Sequence, residues 1–271
     1  MRVVSRFSAA LTMVILGIGS LTPLLPALAG AAESSSAALD LNSVLEALKN
    51  PNPAVAMKAA QELKKKDFPV KAVVPALAAA LKHPNEVVRL TAIEAISDRG
   101  AEPAPAVSAL REALKDKDPL VREAAVLGLF SFGEQATAVI PDLIVLLGDE
   151  NKHIREIAAL ALAGTGKAAV PALVKALESK DPAVRTAASE ALGTMRETAV
   201  PELITSISKG TPDAIRAASR ALINIGPPAV EPLIGLLRNP DAETAELVAE
   251  ILENIGAPAV PGLIKAVRKK P

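Results

Sequence analysis

The sequence predicts an all-α fold: a right-handed α-solenoid of stacked antiparallel helix pairs, about seven and a half repeats long. Three observations indicate this fold class. A unit of roughly 30 residues, made of two short amphipathic stretches around a polar turn, recurs between residues 40 and 271. Half of the residues are apolar, yet only 1% are aromatic, and one stretch of each unit is rich in alanine. Helices this short are marginal alone in water, so the units must stack on one another.

The clearest copy of the unit is residues 169–194, AVPALVKALESKDPAVRTAASEALGT. Pro171 opens the first helix, where its missing N–H is not needed for a hydrogen bond. Asp181 is expected to cap the second helix, and Pro182 occupies the first position of that helix. Apolar residues at helical spacing then predict the buried faces. These are Leu173, Val174 and Leu177 in the first helix and Val184, Ala187, Ala188, Ala191 and Leu192 in the second.

Alignment of the other copies on the position of Pro171 gives the length of each repeat. The equivalent residues are Asn42, Pro75, Ser108, Pro141, Pro171, Pro201, Pro232 and Pro261. The spacings are 33, 33, 33, 30, 30, 31 and 29 residues, so the first three units are longer by about one helical turn. Their extra residues fall after the second helix, where a longer loop or a changed twist is expected. The last unit has only a first helix, in which Leu263, Ile264 and Val267 are expected to be poorly covered.

The first 29 residues have the three parts of a secretory signal peptide. Arg2 and Arg6 form a basic start, residues 7–32 carry no charge, and Ala27-Leu28-Ala29 forms an A-x-A cleavage site. Residues 30–39 are then a flexible spacer, and residues 40–271 form the solenoid. The sequence therefore predicts an exported protein, periplasmic or extracellular, that does not contact the membrane after cleavage. An uncleaved membrane anchor is the alternative, because the uncharged stretch is long enough to span a bilayer.

The composition gives no support to catalysis, cofactor binding or nucleic-acid binding. There are no cysteines, and 30 basic residues balance 30 acidic ones. Without tryptophan and tyrosine, the chain has little with which to line a cofactor pocket or to stack bases. The two histidines, His83 and His153, are expected in turns without a carboxylate set at metal-ligand spacing. We therefore predict no catalytic, cofactor-binding or metal-binding residues.

The repeated unit resembles the HEAT repeat superfamily, and within it the short bacterial repeats of the phycobilisome-lyase type. The resemblance covers residues 40–271 and rests on the opening proline, the Asp/Asn-Pro turn, an arginine four residues later and the alanine-rich second helix. It implies a ladder of hydrogen bonds in which turn residues and arginines link successive units. The implied ladder residues are Arg89, Asp118, Arg122, Arg155, Asp181, Arg185 and Arg216, with Asn85 and Asn151 as further members. Ala56 and Glu246 depart from the pattern, so no ladder is expected in the first and last full units.

Positions one, five and eight after each arginine are expected on the concave side of the second helices. Near the middle of the chain these positions include Leu127, Phe130 and Leu160, and they are less polar than those at either end. In the sixth unit the same rule gives Ala217, Ala221 and Asn224. Because exposed apolar patches often mark binding sites, the candidate partner-binding residues are Leu127, Phe130, Leu160, Glu94 and Glu190. The alternative is that the longer third unit turns Phe130 and Phe132 into the core.

The sequence therefore predicts an exported, non-enzymatic scaffold that binds a protein or peptide partner along the concave face. Two alternatives stay open. One is a subunit resembling bilin lyases or isomerases and acting on a tetrapyrrole–protein substrate, which only the family resemblance implies. The other is a structural envelope component without a defined ligand. Nucleic acid is not an expected partner, and the chain is expected to be a monomer, with dimerisation through its C-terminal end as an alternative.

Overall fold

The computed structural model describes residues 40–65, 68–98, 103–237 and 241–268. All regular secondary structure within these ranges is helical. The α-helices are α1 (Leu41–Ala47), α2 (Pro53–Lys65), α3 (Val70–Ala80), α4 (Glu86–Ser97), α5 (Pro103–Ala113), α6 (Pro119–Phe130), α7 (Ile140–Leu146), α8 (Lys152–Gly164), α9 (Val170–Ala176), α10 (Pro182–Thr194), α11 (Val200–Lys209), α12 (Pro212–Ile225), α13 (Val230–Leu236), α14 (Ala242–Ile255) and α15 (Val260–Arg268). The predicted signal peptide and spacer, residues 1–39, lie outside the described residues.

The helices pair in sequence order, with an odd-numbered first helix followed by an even-numbered second helix. The described residues divide into two compact units, the first ending at Ala95 and the second beginning at Ile96. In the first unit, α1 packs against α2. In the second unit, each first helix packs against its own second helix, from α5 with α6 to α13 with α14. The succession of pairs, ending in the single helix α15, confirms the predicted all-α solenoid.

Neighbouring pairs in the second unit stack through close contacts between their second helices. Helices α6, α8, α10, α12 and α14 pack side by side in that order. Ala158, Ala188 and Ala218 occupy equivalent positions and are fully buried, because a small side chain lets two helices approach closely. The buried hydroxyl of Ser189 donates a hydrogen bond to the Ala217 carbonyl oxygen at 2.8 Å and so links α10 to α12.

Residues 169–194 fold as the sequence predicts. Helix α9 has Pro171 in its first turn. Asp181 caps α10 by accepting a hydrogen bond from the Ala183 N–H at 2.8 Å. Most of the predicted core residues are buried, whereas Val174 and Val184 are only half-buried. Local signals for capping and periodicity are therefore sufficient to place both helices of this copy.

From α7 onward the repeat has a constant length of 30 residues. The first helices begin at Ile140, Val170, Val200, Val230 and Val260. The N-caps of the second helices keep the same period, at Asn151, Asp181, Thr211 and Asp241. The predicted spacings of 31 and 29 residues are therefore wrong. They arose because Pro232 is the third residue of α13, whereas Pro171 and Pro201 are the second residues of their helices.

The longer repeats contain extra helical structure before the position aligned with Pro171. Helix α3 begins five residues before Pro75, which lies inside that helix and not at its start. Helix α5 likewise begins five residues before Ser108. In the next repeat, Gly133–Val139 forms a 3-10 helix of 7 residues, where later repeats have 3 or 4. This segment buries Ala136 and Val139, so the extra length is a packed element instead of an open loop.

Helix α15 is exposed along much of its length. None of its residues is buried, Val260, Ile264 and Val267 are exposed, and Leu263 is half-buried. A groove of about 310 Å³ between α14 and α15 is lined in part by Leu263 and Leu252. Within the described ranges, no single helix is long and apolar enough to cross a membrane. Helix α14 and residues 257–268 reach that length only together, and they are bent by 115°.

Candidate functional site

Four arginines make the same contact in the turns between paired helices. They are Arg89, Arg122, Arg155 and Arg185. In each, Nη1 donates to two carbonyl oxygens of its own turn at 2.7–3.3 Å. These carbonyls lie five and six residues before the arginine, just after the first helix, where carbonyl groups lack a helical partner. Each arginine therefore closes the turn of its own repeat.

Arg122 also links two successive repeats through a bidentate contact. Arg122 Nε donates to Asp149 Oδ2 at 2.8 Å, and Nη2 donates to Oδ1 at 3.0 Å. The two side chains are only 11% and 7% exposed. The hydrogen bond to Asp149 raises the pKa of Arg122, against the opposing effect of burial. Burial alone would raise the pKa of Asp149, but hydrogen bonds from Arg122 and the Asn151 N–H, together with nearby charges, hold it below 3.8.

Two predicted ladder residues have another role. Asp118 and Asp181 are N-caps, and each accepts a hydrogen bond from the N–H two residues further along the chain. The carboxylate that binds the arginine is therefore not the cap but Asp149, which lies two residues before a cap. A weaker link of the same kind joins Arg185 Nη2 to Asp213 Oδ2 at 3.5 Å.

The assignment of Arg216 to the ladder is wrong. The constant period of 30 residues places Ile215 at the position of Arg185, because Thr211 takes the cap and the arginine comes one residue later. A shift of one residue turns a helical side chain by about 100°. The side chain of Arg216 is accordingly 75% exposed and pairs with Asp213 on its own helix.

Counting positions from the N-cap, instead of from the arginine, also changes which residues of the second helices are expected to be exposed. In the second unit, positions five, nine and twelve after each N-cap are exposed or half-buried, and we call them the second-helix face. Its residues are Glu123, Leu127 and Phe130 on α6; Glu156, Leu160 and Ala163 on α8; Thr186, Glu190 and Gly193 on α10; Arg216, Arg220 and Ile223 on α12; and Glu246, Glu250 and Glu253 on α14. The expected members Ala217 and Ala221 are buried. Positions counted from the arginine are wrong in α12, because Arg216 lies five residues after the N-cap, whereas Arg185 lies four residues after it.

Three apolar residues of the second-helix face, Leu127, Phe130 and Leu160, form what we call its apolar centre. Leu160 is 51% exposed, and the other two are half-buried. The ring of Phe130 packs against Gly164, where an added Cβ atom would lie 3.2 Å from the ring. Phe132 is buried. The alternative that both phenylalanines belong to the core therefore holds for Phe132 only. Phe130 borders the second-helix face, as the exposed-patch interpretation expects.

Carboxylates lie beside the apolar centre. His153 sits between two of them, with Nε2 3.3 Å from Glu123 Oε1 and Nδ1 3.8 Å from Glu156 Oε2. Lys152 also pairs with Glu156, at 3.3 Å. Glu190 is exposed on the next second helix. His153 lies in the first turn of α8, not in an interhelix turn as expected.

Glu94 and His83 belong to the first unit, where both make contacts between repeats. The Glu94 carboxylate pairs with Lys64 Nζ, which joins α4 to α2. His83 Nδ1 accepts a hydrogen bond from the Asn85 N–H at 3.1 Å. Because Nδ1 is the acceptor, Nε2 is the nitrogen that donates to the Asn50 carbonyl oxygen, at 3.2 Å. These contacts give both residues a structural role in stacking the first two repeats.

The titratable groups with shifted pKa values serve structure in the described part of the chain. Besides Arg122 and Asp149, the pKa of Asp241 is lowered by hydrogen bonds from the hydroxyl and the N–H of Thr244, at the N-cap of α14. No group of three or more His, Asp or Glu side chains that could hold a metal ion occurs among the described residues. What the second-helix face offers is a mixed apolar and charged surface for binding.

The sequence matches the family described as HEAT repeats over residues 41–129 and 140–223. The chain belongs to the HEAT repeat family. The break in this match, residues 130–139, contains the long 3-10 helix Gly133–Val139 between α6 and α7. No curated protein matches the sequence significantly.

Solved structures of other repeat proteins resemble this HEAT repeat protein. Importin beta is 17% identical over 79% of this chain and 35% of its own length, with a TM-score of 0.51. A chain in the structure of the complex of CpcE and CpcF of phycocyanin lyase from Nostoc sp. PCC7120 is 22% identical. The match covers 86% of this protein and 100% of that chain, with a TM-score of 0.42. A designed armadillo repeat protein in complex with the peptide (KR)4 is 16% identical over 80% of this chain and 100% of its own, with a TM-score of 0.39. At these identities the likeness concerns the fold alone.

Two features of this HEAT repeat protein were not expected from the sequence. One is Asp149 as the acceptor that joins two repeats, which a recurrence of aspartate two residues before the cap, at Asp116 and Asp149, could have indicated. The other is the exposed pair of Arg216 and Arg220 on α12. Counting from the N-cap would have found this pair, because the cap sets the phase of the helix that follows it.

Proposed function

We propose that this HEAT repeat protein is an exported, non-enzymatic scaffold that binds a protein or peptide partner through the second-helix face. The observation that carries the proposal is the apolar centre, in which Leu160 on α8 is half exposed and Leu127 and Phe130 on α6 are partly covered. Covering such a side chain contributes about 25 cal/mol for each Å² of apolar surface removed from water. The fold supports the proposal, because stacked repeats present extended surfaces suited to binding.

Affinity capture from an envelope extract of the organism that encodes the protein tests this function. The bait is the wild-type protein, the variant Leu160→Asp or the control variant Val145→Asp. Val145 is 73% exposed on the first helix α7, so its replacement adds the same charge outside the second-helix face. We expect a partner that wild type and Val145→Asp retain and Leu160→Asp loses. Equal retention by all three proteins would overturn the proposed role of this face.

Export is supported by the sequence of residues 1–29, with its basic start, uncharged stretch and A-x-A site. N-terminal sequencing of the protein from its native host tests this part of the proposal. We expect the mature chain to begin after Ala29 and to be recovered from the periplasm or the medium. An intact N-terminus in the membrane fraction would favour the anchored alternative, and an intact N-terminus in the cytoplasm would contradict export.

A further inference from the structure

We propose that the partner is an extended peptide segment whose charge changes sign along its length. Apolar and basic side chains of the segment lie over α6, α8 and α10, acidic side chains lie over α12, and basic side chains lie over α14. This inference rests on the proposed function, because it describes what the second-helix face selects. It goes beyond that function by giving the order of side-chain types in the partner.

The first argument is that the second-helix face consists of rows that cross the helices. The period of 30 residues places Glu156, Thr186, Arg216 and Glu246 in one row and Leu160, Glu190, Arg220 and Glu250 in the next. Helices α8, α10, α12 and α14 pack side by side, so each row meets them in order. Packed helices lie about 8–10 Å apart. An extended peptide advances about 3.3 Å per residue, so about three peptide residues correspond to each helix.

The second argument is the sign of the charge along these rows. Around the apolar centre the acidic residues of the face are Glu123, Glu156 and Glu190. Beyond them lie Arg216 and Arg220 on α12, which we call the basic band, and then Glu246, Glu250 and Glu253 on α14, the acidic band. A partner of one charge sign would meet repulsion over part of this surface. A polyanion such as nucleic acid would be repelled by the carboxylates on both sides of the basic band.

The third argument is that several of these charges have no ion-pair partner in the described part of the protein, although Glu156 pairs with Lys152 and Glu123 lies beside His153. Among the described residues, Arg220, Glu190 and the three glutamates of the acidic band form no ion pair with another side chain. Arg216 pairs with Asp213 in the first turn of its own helix. A peptide lying across the helices can supply the missing counter-charges, each worth up to about fivefold in affinity.

Synthetic peptides of about fifteen residues, or about three for each of the five helices from α6 to α14, test the order directly. The first peptide has about nine residues of alternating Lys and Leu, then Glu-Gly-Glu, then Lys-Gly-Lys. The second has the same composition with Glu-Gly-Glu moved to one end. Fluorescence anisotropy of a fluorescein label measures binding to the whole protein at low salt. We expect the first peptide to bind about tenfold more tightly, because its order alone matches both bands.

A charge reversal in the basic band tests the pairing without relying on loss of binding alone. The double variant Arg216→Glu/Arg220→Glu is expected to bind the first peptide about tenfold more weakly. A peptide with lysine in place of both glutamates should restore binding to this variant, which also shows that the variant is folded. The control variant Lys175→Glu/Lys180→Glu makes the same charge change at exposed residues outside the second-helix face and should leave the ranking unchanged.

The outcomes separate this inference from the proposed function. Equal binding of the two peptides, failure of the restoring peptide, or no binding of either peptide overturns the charge order. If capture of the native partner still depends on Leu160 in that case, the second-helix face binds a partner of another kind and the proposed function stands. If capture does not depend on Leu160, the proposed function fails as well.

Discussion

Replacement of Asp149 with alanine removes the carboxylate that joins two successive repeats through Arg122. In the wild-type protein this carboxylate accepts hydrogen bonds from the guanidinium at 2.8 and 3.0 Å and from the Asn151 N–H at 2.9 Å. The variant leaves the Arg122 side chain, 11% exposed, without its bidentate acceptor. We therefore expect a clear loss of stability from a single change in a turn.

The expected loss in the free energy of unfolding is about 2–4 kcal/mol. Removal of one partner from a buried ion pair costs about 3–5 kcal/mol, and the lost hydrogen bond to the turn adds about 1 kcal/mol. Two features reduce this cost. Arg122 keeps its hydrogen bonds to the carbonyl oxygens of Asp116 and Lys117. Glu150 Oε1 already lies 3.7 Å from Arg122 Nη2, close enough to move in as a substitute.

Urea unfolding followed by far-UV circular dichroism measures this effect and suits a chain without tryptophan or tyrosine. The matched control is Asp213→Ala, which removes the acceptor of Arg185 at 3.5 Å, where the carboxylate side chain is 44% exposed. Exposed pairs contribute about 0.2–1 kcal/mol, so this variant should unfold close to wild type. Equal losses in the two variants would refute the argument that burial and bidentate geometry make the Arg122 pair strong.

Three further outcomes follow from individual contacts. The stabilisation by ionised Asp149 is present above pH 3.8 and is lost as pH falls through its lowered folded-state pKa. The stability difference between wild type and Asp149→Asn should therefore shrink below about pH 4, and a constant difference down to about pH 2 would contradict this. Gly128→Ala should cost about 1–3 kcal/mol, because its Cβ would lie 2.5 Å from Ser97 Oγ. Gly235→Ala should raise the free energy of unfolding by about 0.5–1 kcal/mol, because no atom other than its chain neighbours and the backbone of its own helix lies within 4 Å of the added Cβ atom. If urea unfolding showed Gly235→Ala to be less stable than Gly128→Ala, the packing argument would be wrong. Ser189→Ala should lose about 1 kcal/mol, and an unchanged thermal midpoint would show that its hydrogen bond to α12 contributes nothing.

The parts of the fold that depend on local signals could be predicted from the sequence. The N-cap at Asp181 and the proline in the first turn of α9 act within one or two helical turns. Alanines at helical spacing identified the faces that pack against neighbouring repeats. Because the repeats share these signals, the helices predicted for residues 169–194 were enough to indicate the solenoid.

The phase of individual helices could not be read from the arginine alone. In α12 the cap at Thr211 keeps the period while Arg216 stands one residue late, and the exposed and buried positions change places around it. Pro75 was likewise an unreliable marker of a helix start, since it lies inside α3, which begins at Val70. A landmark residue indicates a repeat, but the start of the helix decides which side chains face water.

The candidate site was only partly predictable because its exposure depends on contacts between repeats. The sequence left open whether Phe130 is core or surface, and packing against Gly164 of the next second helix decides its half-buried position. The partner of Arg122 is likewise supplied by the following repeat. Such contacts join residues about 30 positions apart, and a pattern within one repeat does not contain them.

Site-specific photo-crosslinking tests the proposed role of the second-helix face most directly. A photoreactive amino acid replaces Leu160 in one protein and Val145 in a control, and both are expressed in the native host. Both positions are exposed, but only the first lies on the second-helix face. We predict a discrete crosslinked partner from position 160 and none from position 145. No crosslink at position 160, or the same crosslinked species from both positions, would contradict binding through this face.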